Sequence, residues 1–425
     1  MEFKLPYGKD FHRIEIPSTV RVQRIQPKVL PLPPSDEMAI RQALANPIGS
    51  PPLAKILREN APTVLVLPDK TRNARTDVVL PILLDTIQKA GVHASNIHFL
   101  FANGSHAGMT PSEKRAVLGN VNLPEAHVFE HDCRKSSCRH VGTTRRGISV
   151  DVNEQIFKAT YVVVVGTVVH HYFAGFGGGP KMIVPGVAAC HTITQNHRMA
   201  VLSEKSVLHP ACRPGNVVGN PVYEDIEEAF KMVPVDFSLQ VVLNREHRIQ
   251  AAFAGDTLQA HRQGRQLVEE MNRIPLQHPY DCVVVSAGGF PKDVNLIQAH
   301  KAIYNAYQAV RPGGCLIGLA RCPDGLGSPT FLQWFDYPTL AEMKRAVMEN
   351  YQLNGNTALS LKEKLDKVEL FWISELPEEI SRKIGFVSVR SFGEAWRKAT
   401  ARHKIASVAV LPFGDVTLPQ IDEGS

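Results

Sequence analysis

At 425 residues the chain has room for two or three domains. Its 44% hydrophobic and 21% charged residues exclude a disordered chain. A formal charge of +6 without a dense Lys/Arg stripe gives no argument for nucleic acid and leaves room for a small anionic substrate. The longest apolar runs, such as Tyr161–Val165, fall far short of the ~20 residues of a membrane helix. Met1–Asp10 holds no signal-peptide core, so the chain reads as cytoplasmic with no membrane partner. Seven cysteines form no CxxC pair and read as reduced thiols rather than zinc ligands.

Short β-branched runs ending in Gly, Asp or Asn recur along the chain, each followed by a helical pattern, which is the layout of a parallel α/β sheet. Thr63–Leu67 stops at Pro68-Asp69, Ile97–Phe101 at Asn103-Gly104, and Tyr161–Val165 at Gly166. Between the first two, Val78, Val79, Ile82, Leu83, Thr86, Ile87 and Ala90 keep the spacing of a buried helical face. Thr110-Pro111-Ser112-Glu113 carries the capping-box pattern of a helix start. A helical pattern also runs from Val187 to Arg198. A second series begins with Cys282–Val285, continues through the turn Arg311–Gly314 into Cys315–Leu319, and closes with Ser407–Leu411. The polar helical stretch Thr257–Arg273 is read as the link between them. The fold class is therefore α/β, with two α/β domains of mainly parallel sheets: residues 1–270 and residues 271–425. Ligands of such sheets bind beyond the carboxyl ends of the strands, so the active site is expected in the interdomain cleft.

The segment His170-His171-Tyr172-Phe173-Ala174-Gly175-Phe176-Gly177-Gly178-Gly179-Pro180-Lys181 holds the densest chemistry. Three consecutive glycines cost chain entropy, and they suit a loop whose exposed N–H groups approach a phosphate. The spacing is neither that of a P-loop nor that of a dinucleotide fold, and a flexible turn with a solvated lysine stays open as the plain reading. His197 falls in the last turn of a predicted helix, where a histidine is ordinarily a cap. His106 follows a strand end, and Arg72 in Asp69-Lys70-Thr71-Arg72 could grip a carboxylate bidentately or pair with Asp69.

In order and spacing these segments resemble the nickel-pincer lactate racemase family. Further matches are Pro185-Gly186, Asn196-His197, Phe253–Asp256, and Gly288-Gly289-Phe290-Pro291 with Asp293, Asn295, Gln298 and Lys301. The resemblance implies a racemase or epimerase of a small 2-hydroxy acid, lactate- or malate-like, loaded by cofactor-maturation enzymes. Its cofactor would be a nickel-pincer nucleotide, a pyridinium bisthiocarboxylic mononucleotide carrying nickel, joined covalently to Lys181. His197 would be the protein's nickel ligand, and Asp69, Gly177, Gly178 and Gly179 would lie against the cofactor. His106 and His171 match the family's paired acid and base, and His170 is left a structural role. Arg72, Gln298 and Lys301 match its contacts to the substrate carboxylate. The hydride from C2 would move to the cofactor and return to either face of a planar 2-keto acid.

The sequence departs from the family at Gly177, Pro180, Asn73-Ala74 and Ala107-Gly108. None of these removes a chemical group, but they bear on the substrate. Room beside His106, together with Lys70 and Lys292, suits a longer or doubly charged acid such as malate, unless both lysines are merely solvated. A non-catalytic carrier of nickel or of the pincer cofactor and a lysine Schiff-base enzyme are the alternatives, though neither explains both His106 and His171. A nicotinamide dehydrogenase lacks its fingerprint here.

Overall fold

A computed structural model describes residues 1–119, 121, 127–201 and 207–421. The chain divides into two compact units, one of Val29–Ala200 with Pro210–Glu269, the other of Met1–Lys28, Val201–His209 and Glu270–Ser425.

In the first unit Thr63–Pro68, Ile97–Ala102 and Tyr161–Thr167 lie side by side and parallel in a six-stranded sheet. Val128–Glu130 closes one edge. Phe237–Leu243 and the antiparallel Ile249–Gly255 extend the other. Every residue of Thr63–Pro68 and of Tyr161–Thr167 is buried, as expected for β-branched runs covered on both faces. Leu65, Leu67, Phe99, Phe101, Val163 and Val165 share one face with Val79, Leu80, Leu83 and Ile87 of the helix Thr76–Lys89, which realises the predicted apolar spacing. The capping box at Thr110 and Glu113 is formed in both directions.

The second unit carries another six-stranded sheet, parallel throughout. Its order is Val387–Val389, Glu369–Ile373, Val310–Leu319, Tyr280–Ser286, Ser407–Leu411 and Arg21–Arg24. The chain leaves the first unit at Glu269, near the expected break at 270, but the opening 28 residues join the second unit. Arg21 pairs with Ser407, and Leu5, Ile14 and Ile16 are buried in this unit's core. Alternation of apolar and charged residues announces a strand but not the sheet that will accept it.

Two local readings change. The predicted turn Arg311–Gly314 is a bulge within the strand Val310–Leu319. Tyr280 pairs with Val310 and Cys282 already with Cys315, and Gly313 takes the positive φ the bulge needs. The helix expected from Val187 begins only at Cys190, because Ala188 bridges to Val152 and the Ala189 amide donates to the Asp151 carbonyl. Among the described residues no helix is long and apolar enough to cross a membrane.

Phe99 is fully buried between neighbouring strands, whereas Phe11 is 66% exposed. Phe99→Ala should therefore cost about 3–5 kcal/mol in urea unfolding, and Phe11→Ala no more than ~0.5 kcal/mol. Equal losses would contradict this placement of the core.

Candidate active site

Three parallel strands end at one edge of the first unit's sheet, and the chemistry begins where they stop. Pro68 pairs with Ala102, so Asp69 and Asn103 leave the sheet side by side. Asp69 is 2% exposed with both oxygens engaged. Oδ1 accepts from the Thr71 amide at 2.8 Å and the Thr71 hydroxyl at 2.6 Å, while Oδ2 meets Nδ1 of His106 in a short hydrogen bond. Burial opposes ionisation of Asp69, but His106, Arg72 and Thr71 outweigh it and hold the carboxyl down at about 2. An ionised Asp69 accepts, so a neutral His106 carries its proton on Nδ1 and turns the Nε2 lone pair outward. Asp69 is thus the partner of His106, a contact the sequence reading did not assign to it.

The third strand delivers Val168 and the histidine pair. His170 is turned inward, its side chain 4% exposed and its Nε2 2.7 Å from Glu269, in keeping with a structural role. The Nδ1 of His171 accepts the Ala174 amide at 3.2 Å, which puts a neutral ring's proton on Nε2. His106 and His171 consequently rest in opposite tautomers.

Phe173, 3% exposed, is the hub of the remaining groups. His171 packs edge-on against its ring at 4.7 Å, His197 does the same at 4.9 Å, and the Lys181 amine sits 5.5 Å from its centroid. The Lys181 amine makes no hydrogen bond or ion pair among the described residues, although the backbone of Lys181 bonds to Gly178 and Gly186. Burial, and then the nearby Arg72 charge, push its amine well below the usual lysine range. His197 is driven down to about 3 by burial, then by Lys181 and His106. His197 is therefore neutral near pH 7, and the Lys181 amine gives up its proton more readily than an ordinary lysine. The His197 tautomer follows from its neighbour. The Asn196 amide nitrogen donates to Asp225 at 2.9 Å and to the Val222 carbonyl at 3.1 Å, so its oxygen faces His197 Nδ1 at 3.2 Å. Nδ1 must donate, and the lone pair is on Nε2, as a metal-ligating imidazole requires. Asn196 entered the sequence reading only as part of the matched pair Asn196-His197 and Asp225 not at all, since a buried amide and carboxyl 29 residues apart carry no local signal.

The glycine loop differs from its expected form. The Gly177 amide donates to the Val169 carbonyl at 2.8 Å and the Gly179 amide to Gln240 Oε1 at 2.9 Å, so neither is left for a phosphate. The glycines are required by packing instead. Gly178 and Gly179 have positive φ, and a Cβ would lie 2.6 Å from the Thr167 carbonyl oxygen at the first and 2.5 Å from the His261 ring at the second. His261 is fully buried, with Nε2 on the Gly177 carbonyl at 2.9 Å and Nδ1 3.4 Å from the Tyr223 hydroxyl. His261 and Gln240 therefore hold the loop from beneath.

Arg72 is half-buried, and among the described residues its guanidinium makes only two hydrogen bonds, both to Thr71 at 3.4 Å. In the second unit, Asn295 caps the helix Leu296–Tyr307, on which the Lys301 amine donates to Gln298 Oε1 at 2.7 Å. The two extra lysines are already paired: Lys70 with Glu113 at 2.7 Å and Lys292 with Asp415 at 3.4 Å.

Burial of neutral imidazoles has a signed consequence. His261, like His197, titrates at about 3 because burial, and then Arg265 beside it, disfavour the cation. The unfolded chain takes up its protons first, near 6.5, so this stability is complete above that pH and is lost as pH falls toward 3. Asp69 works in another window, losing its contribution only below 3.8 and through about 2. The urea midpoint should therefore drop between about pH 7 and about pH 5, and His261→Gln should flatten that slope. An unchanged slope in the variant would remove His261 from the account.

Two family models match the chain, the lactate racemase N-terminal domain over residues 7–209 and the lactate racemase C-terminal domain over residues 276–417. A lactate racemase of Thermoanaerobacterium thermosaccharolyticum is 33% identical over 336 residues, 78% of this chain and 77% of the relative. One from Lactiplantibacillus plantarum is 28% identical over 398 residues, 89% of this chain and 90% of its own length. The solved structure of a lactate racemase apoprotein from the former organism superposes with a TM-score of 0.89 at 28% identity, covering 99% of this chain and all of that one. The chain belongs to the lactate racemase family.

Proposed function

We propose that this protein racemises lactate, or a similarly small 2-hydroxy acid, with a nickel-pincer nucleotide carried on Lys181 and His197. The observation that supports this best is the arrangement around Phe173, where a lysine amine and an imidazole, both pushed by burial toward their neutral forms, share one ring with His171. The donor set fits that cofactor. An amine must be unprotonated to be acylated, and nickel needs an imidazole lone pair. Burial favours both forms, pushing the Lys181 amine well below its usual range and His197 down to about 3. When bound, the cofactor supplies a reversible acceptor for the hydride on C2.

The chain's own side chains handle the protons and the carboxylate. His106 Nε2 takes the hydroxyl proton, and the cation that results is held against ionised Asp69. To donate from Nε2 in one direction and take the hydroxyl proton there in the other, His171 cycles between imidazolium and the neutral ring with Nε2 free, giving up the Ala174 amide contact that it makes at rest. Arg72, with its loosely engaged guanidinium, holds the substrate carboxylate, and we assign Gln298 and Lys301 to the same task from the family match. Lys70 and Lys292 are spent on Glu113 and Asp415, which removes the argument for a second substrate carboxylate and favours lactate over malate.

Peptide mapping and nickel analysis of protein made alongside cofactor-maturation enzymes test the cofactor assignment. A nucleotide-sized adduct should lie on Lys181 and vanish in Lys181→Ala, while His197→Ala should keep the adduct and lose nickel. Active protein with unmodified Lys181 would falsify the attachment. A lysine Schiff-base enzyme, which a depressed amine would also serve, would instead be trapped on Lys181 by borohydride with substrate.

His106→Ala should lose roughly two to four orders of magnitude in kcat with the cofactor still attached. Asp69→Asn should lose about two orders or more, because an amide no longer enforces the Nδ1–H tautomer. Near-normal turnover of Asp69→Asn would show the pair to be structural only. For the substrate, kcat/KM should be higher for lactate than for malate and unchanged in Lys292→Ala. A preference for malate that Lys292→Ala abolishes would reverse this reading.

A further inference from the structure

Away from the Phe173 cluster the first unit holds a pair of thiols that the proposed reaction does not use. Cys133 lies in the loop after the edge strand Val128–Glu130, and Cys190 is the first residue of the helix Cys190–Arg198. The Cys190 amide donates to the Cys133 carbonyl at 2.8 Å. The two thiols also lie close enough to interact with each other, the proximity that a disulfide needs. Both side chains line one open cavity of about 600 Å³ with Arg134, His191, Thr194 and Gln195. Cys190 is partly exposed there and Cys133 is 7% exposed. Both are free thiols. A second close pair, Cys282 and Cys315, sits in register on neighbouring strands of the other unit, but both are fully buried. The difference between the pairs is access.

We propose that Cys133 and Cys190 form an oxidisable dithiol, a modification site for small peroxides, whose product is a disulfide tying the start of the helix that carries His197 to the loop after Val128–Glu130. Cys190, the more exposed sulfur, meets the oxidant first. Its sulfur displaces hydroxide from hydrogen peroxide and becomes a sulfenic acid, giving up two electrons that reduce the peroxide O–O bond. Cys133 then attacks the Cys190 sulfur, the S–O bond breaks, and the oxygen leaves as water with the Cys133 proton. The net change is two thiols and one peroxide to one disulfide and two waters. Burial, and then the adjoining Cys190 thiol, push the Cys133 thiol up to about 12, so it waits as a protonated partner rather than competing for oxidant. The inference does not depend on the racemase reading, since it needs neither cofactor nor substrate.

The full-length protein is treated with a small molar excess of hydrogen peroxide, alkylated without reductant, and mapped by mass spectrometry. One dithiothreitol-sensitive peptide pair linking Cys133 to Cys190 is expected, with Cys282 and Cys315 alkylated only after denaturation. In Cys133→Ser, Cys190 should instead accumulate as sulfenic and then sulfinic acid. In Cys190→Ser, Cys133 should stay reduced at the same dose. Cys133 and Cys190 both remaining reduced, a link from Cys133 to Cys138, or Cys190 over-oxidising at equal rates in wild type and Cys133→Ser would each overturn the proposal.

Discussion

Withdrawal of water from two cations organises the rest of this site. A lysine amine and an imidazole beside an arginine cannot all carry charge where the surroundings offer few dipoles in place of water, and the groups with ordinary titration ranges give way. Here the Lys181 amine is pushed well below its usual range and His197 down to about 3. Phe173 enforces the arrangement because a ring presents no hydrogen-bond partner to stabilise a charged imidazole edge-on, while its weak pull on an ammonium is far smaller than the lost hydration. The same packing that favours an unprotonated amine favours an imidazole with an open lone pair. One apolar side chain therefore prepares two different chemistries.

Holding that packing in place falls to groups with no chemistry of their own. The loop before Lys181 is fixed by Gln240 and His261 below it and by the carbonyls of Thr167 and Val169 beside it. The orientation of His197 is passed along Asp225, Asn196 and its own Nδ1, each buried and each with its hydrogen-bond sense forced by the one before. Such chains cost desolvation when assembled, and they return it as a single tautomer and a single rotamer. Tuning of this kind resides in residues distant in sequence from those they tune.

That distance explains what could be read from the chain alone. Strands bounded by Pro68, Asn103 and Gly166 were legible because buried parallel strands demand uninterrupted β-branched runs, and the Thr110 capping box was legible because its logic is local. Lys181, His197, His106 and His171 were legible as an ordered set resembling one family. The bond from Asp69 to His106 spans 37 residues of sequence and that from Asn196 to Asp225 spans 29, and neither has a periodic trace. The glycines were legible only in part for a related reason: a run of small residues records that something comes close, and only coordinates reveal that His261 and a strand carbonyl are among those neighbours. The place of Met1–Lys28 was illegible because edge pairing with Ser407–Leu411 depends on which sheet has a free edge.

The two histidines are supported unequally, and racemisation constrains what that inequality can do. His106 shares its proton with a buried carboxylate, a charge-assisted contact worth about 1.5–3 kcal/mol, whereas His171 accepts from a neutral amide, worth about 0.5–1.5 kcal/mol. The cation formed on His106 is therefore the better supported of the two. The enantiomers of a 2-hydroxy acid have equal free energy in water, so the equilibrium constant is unity and kcat/KM must be the same from either side. An enzyme with unequal bases cannot use them to favour one product. It can only bind one enantiomer more tightly and turn it over more slowly, with the ratio conserved. On the proposed reading the Asp69–His106 pair acts on that division between KM and kcat, and the enantiomer whose hydroxyl faces His106 is the one whose ground state it stabilises.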